Sequence, residues 1–259
     1  RIVAQTINEP MQASDKVFIT GHDNEDYDAI GSAIGMAKLS LSLNKETYIV
    51  LSGRNDNVNR ISEMLARESI KVNDHEEDYN SIMVEEAEAL KHITPNSLLV
   101  LVDHHREILT ASKSVLEAIP KRIIVDHHRR SEDLLADTVL LYLEPSSSST
   151  SELLTELVGY FNDRLEFTPV EATALYSGIV LDTKNFAVQT GERTFEAAAL
   201  LRRNGADSNM VRLMFKDDMD VLKLRARLLA DAKVLENGIA IALYKKAEKG
   251  AKATILAAQ

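Results

Sequence analysis

The 259-residue chain contains no cysteine, which excludes a disulfide framework, a thiolate metal site and a cysteine nucleophile. That absence fits a reducing compartment. No apolar run approaches the roughly 20 residues that a membrane-spanning helix needs. The opening RIVAQTINEP has neither the core nor the cleavage pattern of a signal peptide. The segment is therefore expected to make no membrane contact of its own and to work in the cytoplasm. It begins without Met in what reads as mid-helix, as a piece of a longer protein would. Basic charge is also scarce: 30 Lys and Arg stand against 40 Asp and Glu, a formal net charge of −10 with no Lys/Arg block. Long nucleic acid held by its phosphates normally meets a basic stripe, so it is not an expected partner. A phosphorylated ligand would need bound cations to supply the compensating charge. There is no GxSxG elbow to present a serine nucleophile, and no two glycines are adjacent.

What is present reads as an ordinary globular chain, 45% apolar and 27% charged, long enough to bury a sizeable core. KVFITGH (16–22), TYIVLS (47–52), LLVLVD (98–103), RIIVD (122–126) and DTVLLYLEP (137–145) are short β-branched or apolar runs expected as strands. Between them, 28–43, 59–65, 84–93 and 106–119 carry helical spacing, and 67–81 reads as an exposed polar loop. Strands alternating with helices predict an α/β fold, a parallel sheet with helices on both faces. After residue 145 the chain reads as helical, with helices at 151–165, 169–183 and 193–205 and a long segment over 211–238. GIAIALYKK then reads as a strand with nothing to pair with, followed by an unfinished helix. The expected division is a first domain over 1–220, a linker helix over 221–237, and the start of a smaller α/β domain over 238–259.

An open α/β sheet holds its ligands at the carboxyl ends of its strands. This chain places His22, Asp26 and Asp28 after the first strand, Asp103 after LLVLV, and Asp126, His127 and His128 after RIIV. Asp182 closes the apolar run GIVLD. Each alone reads as a cap, a turn former or a surface residue. Together they gather carboxylates and imidazoles at one rim. Such a cluster repels itself unless cations neutralise it. Two divalent ions need about four carboxylates, one shared between them. Nitrogen and oxygen donors without sulfur suit Mn²⁺ or Fe²⁺, and Zn²⁺ less selectively.

GHDNEDYDAIGSAIG, VDHH (102–105), IVDHHRR, EPSSSSTSELL and GIVLDTKNF with TGERTFEAAALLRRNGAD follow one another in the order of the DHH phosphoesterase motifs. The resemblance runs from about Val17 to Asp207, and the DAIGSAIG and DHHRR wording is most similar to GdpP-type cyclic di-AMP phosphodiesterases. It implies a two-metal phosphodiesterase, with Mn²⁺ as the ion, that opens cyclic di-AMP to the linear dinucleotide by attack of a metal-bound water. Carried over residue by residue, it implies a first site of His22, Asp26 and Asp103 and a second of Asp28, Asp103, His127 and Asp182, with Asp103 bridging. His128 would face the substrate phosphate, and Asp126 would orient the imidazoles as a catalytic partner of His128. Alternatives from the same superfamily are a short-oligonucleotide phosphoesterase and a family II pyrophosphatase. A non-hydrolytic cyclic-dinucleotide-binding module is the alternative of another class.

Two features depart from the family pattern. Glu25 stands where the family has Pro, and the glycine-rich motif of the family's second domain is missing. The SSSST run opens a helix whose free N–H groups favour a phosphate, so Ser149 is a candidate substrate contact; its other reading is an N-cap. Arg193 is the best placed basic candidate, ahead of Arg129, Arg130 and Lys184. A GdpP-like parent would carry a membrane anchor upstream, and a homodimer stays open.

Overall fold

The computed structural model describes residues 2–66, 69–72, 75–133, 135, 138–161, 165–216, 219–236 and 238–242. It divides into two compact units, 1–214 and 215–259.

In the first unit, helix α1 (Ile2–Ala13) leads to strand β1 (Lys16–Thr20), helix α2 (Tyr27–Ser42), strand β2 (Glu46–Leu51) and helix α3 (Asp56–Leu65). An antiparallel hairpin of β3 (Ser69–Val72) and β4 (His75–Asp78) follows, then a helical turn α4 (Tyr79–Ile82), strand β5 (Met83–Glu85) and helix α5 (Glu86–His92). Strand β6 (Leu98–Val102), a 3₁₀ turn (Glu107–Leu109), helix α6 (Lys113–Ala118), strand β7 (Arg122–Asp126) and strand β8 (Thr138–Leu143) complete the sheet. Helices α7 (Thr150–Phe161), α8 (Pro169–Asp182), α9 (Glu192–Arg203) and α10 (Ser208–Met214) close the unit.

The sheet runs β5-β2-β1-β6-β7-β8, with every neighbouring pair parallel. LLVLV and RIIVD lack polar alternation because both faces of the sheet are covered. On one face Phe18, Val50, Leu99, Leu101 and Ile124 pack with Ala89 of α5 and Val115 and Leu116 of α6. The other face is covered by α2 and α7. Strand order reverses between β1 and β6, and such a switch point opens a crevice beyond the carboxyl ends of the two strands.

The helices that reach this crevice are fixed from a distance. Asp26 caps α2, accepting from the backbone N–H groups of Asp28 and Ala29. Thr168 and Glu171 form a capping box at the start of α8, with Pro169 in the first turn. α2 and α8 pack along each other, so that Lys38 meets Glu171 at 2.9 and 3.1 Å, both side chains buried. The Tyr79 hydroxyl also donates to Glu171. A buried charge pair of this kind registers one helix against the other.

The structure differs from the sequence reading in four places. The 84–93 helix gives up its first residues to β5, which pairs with β2. The 106–119 helix is interrupted, because Leu109 O accepts from Asp23 N–H at 2.6 Å and Ala111 N–H donates to Gly21 O at 3.1 Å. In the expected loop 67–81, the described residues form the hairpin and the start of α4, and Tyr79 is buried and bonded to Glu171. In the second unit, α11 (Met219–Ala230) is followed by β9 (Lys233–Val234), which pairs antiparallel with β10 (Ala240–Ile241). The strand read as unpartnered therefore has a partner. The expected final helix lies outside the described residues. No described helix is long and apolar enough to cross a membrane.

Candidate metal centre

Asp103 follows β6 at the switch point and sits at φ 63°, in the left-handed region that Asp tolerates better than most residues. Its N–H donates to Val125 O of the neighbouring strand at 3.0 Å, so the turn is locked into the sheet. Its side chain is almost wholly buried, and its two oxygens face different neighbours. Oδ2 lies 3.6 Å from His22 Nε2. Oδ1 lies 3.4 Å from His127 Nε2 and 3.8 Å from His128 Nδ1. His22 Nε2 is also 3.7 Å from Asp26 Oδ1. His127 Nε2 is 3.1 Å from Asp182 Oδ2 and 4.0 Å from Asp28 Oδ2.

Two donor groups with mutual separations within 4.8 Å result: His22, Asp26 and Asp103, and Asp28, Asp103, His127 and Asp182. His128 forms a third such group with Asp103 and His127. The structure thus brings every residue expected at the two cation sites into one basin. The basin opens to a cleft of about 1190 Å³ whose wall includes Arg106, Ile108, Ser146 and Gly191.

Asp28 reaches the basin from the first turn of α2. Its Oδ2 accepts from Thr150 N–H at 2.8 Å and its Oδ1 from Ser151 N–H at 2.9 Å. The start of α7, read from the sequence as a seat for phosphate, is occupied by this carboxylate, for the same dipole and N–H reasons. The fit is tight: a Cβ added at Gly178 of α8 would lie 2.6 Å from Asp28 Oδ1 and 2.3 Å from Ser151 Oγ.

Ser149 and Arg193 are not brought to the cleft. Ser149 is buried, its hydroxyl accepting from Glu152 N–H at 3.0 Å as a helix cap. Arg193 makes a two-pronged pair with Glu156 at 2.7 and 2.7 Å. Of the other basic candidates, Arg129 lines the cleft.

Electrostatics follow from crowding. Burial penalises the charged rings of His22 and His127, but the surrounding carboxylates outweigh it: Asp103 and Asp26 for His22, Asp103 and Asp182 for His127. Both rings are pushed up to about 11. Burial also raises Asp28 and Asp182, and the charges of their neighbours raise them further. Asp103 is held below the usual range, since its histidine contacts overcome burial.

A divalent cation fits these residues. His127 Nε2 is buried without a hydrogen-bond partner among the described residues, yet faces three carboxylates. The donors are imidazole nitrogen and carboxylate oxygen only, a set that suits Mn²⁺ or Fe²⁺.

The family description "DHH family, N-terminal domain" matches residues 16–179. The chain belongs to the DHH family. It is 38% identical to the Cyclic-di-AMP phosphodiesterase PdeA of Listeria monocytogenes serotype 1/2a (strain 10403S), over 100% of this chain and 38% of that protein. It is 36% identical to the Cyclic-di-AMP phosphodiesterase GdpP of Bacillus subtilis (strain 168), over the same shares. The chain therefore spans 38% of the length of these relatives. The crystal structure of an exopolyphosphatase-related protein from Bacteroides fragilis shares the fold, with a TM-score of 0.71 at 21% identity, covering 90% of this chain and 66% of that one.

Within this DHH domain, sequence reasoning passed over His105. Its Nε2 accepts from Ser131 N–H at 3.1 Å, which leaves the proton on Nδ1 to be donated to Asp126 Oδ2 at 2.5 Å. The other Asp126 oxygen accepts from the His128 N–H at 3.1 Å and meets His128 Nδ1 at 2.8 Å. Asp126 is held below its usual range, these bonds outweighing burial. Asp126 raises the His128 ring in turn. His105 was readable, since it stands at the closing His of the family's VDxH; only Asp103 was carried over from that motif. His104 is buried with neither ring nitrogen hydrogen-bonded among the described residues, and burial lowers it to about 4. Glu25, which stands where the family has Pro, is buried. Its carboxylate accepts from Ser52 N–H at 2.5 Å and Ser52 Oγ at 2.7 Å, tying the loop after β1 to the end of β2.

Proposed function

We propose that this chain is the catalytic part of a cyclic di-AMP phosphodiesterase that yields the linear dinucleotide, with two divalent cations, Mn²⁺ by preference, held around Asp103. The observation that carries the reading is the division of the Asp103 oxygens between two donor groups. His22 and Asp26 would hold one cation, and Asp28, His127 and Asp182 the other. Bound there, the cations would supply an acidified water and neutralise charge on the phosphoryl and leaving oxygens. The chain's own part is binding and orientation. His128, half exposed at the cleft and favoured in its charged form by Asp126, is the donor for a phosphate oxygen. Asp126 holds His128 and His105 in fixed orientations from behind. No protein nucleophile is required, in keeping with the lack of cysteine. Part of the same proposal is a division into a catalytic domain over 1–220, a linker over 221–237 whose helical part ends with α11 at Ala230 rather than running through to 237, and the opening of a substrate-binding domain from 238. So is a cytoplasmic location within a membrane-anchored parent.

The test compares cyclic di-AMP, pApA and pyrophosphate on the same protein. The expected result is turnover of the cyclic dinucleotide that EDTA abolishes and Mn²⁺ restores. Preferential turnover of pyrophosphate or pApA overturns the substrate assignment. Dinucleotide binding that survives chelation and gives no product overturns the enzymatic one.

Cation uptake should also release protons. His22 and His127 hold protons up to about pH 11 in the metal-free chain, and a ligating imidazole must give its proton up. Affinity for Mn²⁺ is expected to rise with pH between about 6 and 9, with one proton leaving each ring. Calorimetry in buffers of differing ionisation enthalpy reads this directly, and uptake without proton release at neutral pH would contradict it. The same rings stabilise the metal-free fold in the opposite sense. An unfolded histidine titrates near 6.5, so their contribution is complete below about 6.5 and is lost as the pH rises toward 11.

A further inference from the structure

We infer that Thr150 is a positioning residue that sets the roll of the Asp103 carboxylate, so that one oxygen serves each cation. The inference rests on the two-cation reading above and goes beyond it to a residue that belongs to neither donor group.

Thr150 is the first residue of α7 and is fully buried. Its backbone N–H donates to Asp28 Oδ2 at 2.8 Å. Its hydroxyl donates to Asp103 Oδ1 at 3.2 Å. One residue thus touches both the carboxylate shared by the two donor groups and one that belongs only to the second. The bond to Asp103 is selective, because it engages the oxygen that faces His127 and leaves Oδ2 to His22.

The imidazoles cannot perform this task once cations are bound. The nitrogens that now face Asp103 from His22 and His127 would turn their lone pairs to the ions. Among the described residues, the Thr150 hydroxyl then supplies the hydrogen bond that still distinguishes the two Asp103 oxygens. The side chain suits the role: a β-branched residue has a restricted χ1, and the Ser149 cap on Glu152 N–H fixes the turn from which it projects. Partners that orient a metal ligand in this way typically alter metal affinity by 10- to 100-fold.

Two substitutions separate the hydroxyl from the packing. Thr150→Val keeps the shape and the backbone N–H on Asp28 but removes the donor; Thr150→Ser keeps the donor. Mn²⁺ titration of the protein, followed by calorimetry and by electron paramagnetic resonance, reads each binding event separately. The expected result for Thr150→Val is one event within about twofold of wild type and a second weakened by roughly 10- to 100-fold. Thr150→Ser should restore both events to near wild type. The retained first event shows that the valine variant has folded. The inference is overturned if Thr150→Val binds both ions as wild type does, or weakens both equally. It is also overturned if Thr150→Ser loses as much as Thr150→Val. A wild-type protein that takes up fewer than two ions overturns the two-cation reading and this inference with it. Wild-type uptake of two ions beside an unaltered valine variant overturns the inference alone.

Discussion

Asp103→Asn is expected to lower kcat/KM for the cyclic dinucleotide by roughly 10³-fold or more and to reduce Mn²⁺ uptake below two ions. The size follows from what the carboxylate does. Cation stabilisation of a phosphoryl transition state is worth several kcal/mol, and each 1.36 kcal/mol is about tenfold in rate. Among the described residues Asp103 is the one acid present in both donor groups, so its charge would contribute to both proposed cations. Asparagine is the informative replacement because it accepts the φ of 63° found here and still offers an oxygen to Thr150. Alanine would add backbone strain to the loss of charge. Circular dichroism of the metal-free variant should therefore match wild type. An Asp103→Asn protein that keeps two ions and full turnover would remove the basis of the proposed function.

Gly178→Ala is the second large effect, and it works through packing. The new Cβ would lie 2.3 Å from Ser151 Oγ, 2.6 Å from Asp28 Oδ1 and 2.9 Å from Asp28 Cα. The Ser151 hydroxyl can rotate away, but the Asp28 backbone cannot, so α8 must separate from α2. Overpacking of this kind costs about 1–3 kcal/mol, which urea denaturation of the metal-free protein will read. Asp28 would also be displaced from Thr150 N–H and Ser151 N–H, so affinity at the second donor group should fall with stability. Gly159→Ala provides the contrast. That glycine lies within α7 with nothing within 4 Å of an added Cβ, and alanine there should gain about 0.5–1 kcal/mol. Equal stability of wild type and Gly178→Ala would contradict the close approach of α8 to Asp28.

The part of this architecture that could be read from sequence is the part that depends on local pattern. The runs VFIT, LLVLV and RIIVD announce buried strands, and the acids and histidines that end them mark the rim where ligands collect. What escaped reading depends on contacts distant in sequence. The 106–119 segment has helical spacing throughout, yet its backbone around residues 109–111 bonds to the loop after β1 instead. Residues 84 and 85 lie in a helical pattern, but β2 supplies a partner strand. The serine run before α7 does mark an anion seat, as helix chemistry dictates; the anion is Asp28, 122 residues away. Ser149 and Arg193 bear groups suited to phosphate, but Glu152 N–H and Glu156 engage them. The identical spelling of the two VDHHR segments conceals unequal roles. In the first, Asp103 faces both donor groups and His105 braces Asp126. In the second, His127 faces the carboxylates while Asp126 braces His105 and His128.

The most direct test of the account is anomalous scattering at the manganese edge from crystals grown with Mn²⁺. Two peaks about 3.5–4 Å apart are predicted on either side of Asp103, one beside His22 and Asp26, the other beside Asp28, His127 and Asp182. A single peak, or peaks that do not share Asp103, would contradict it.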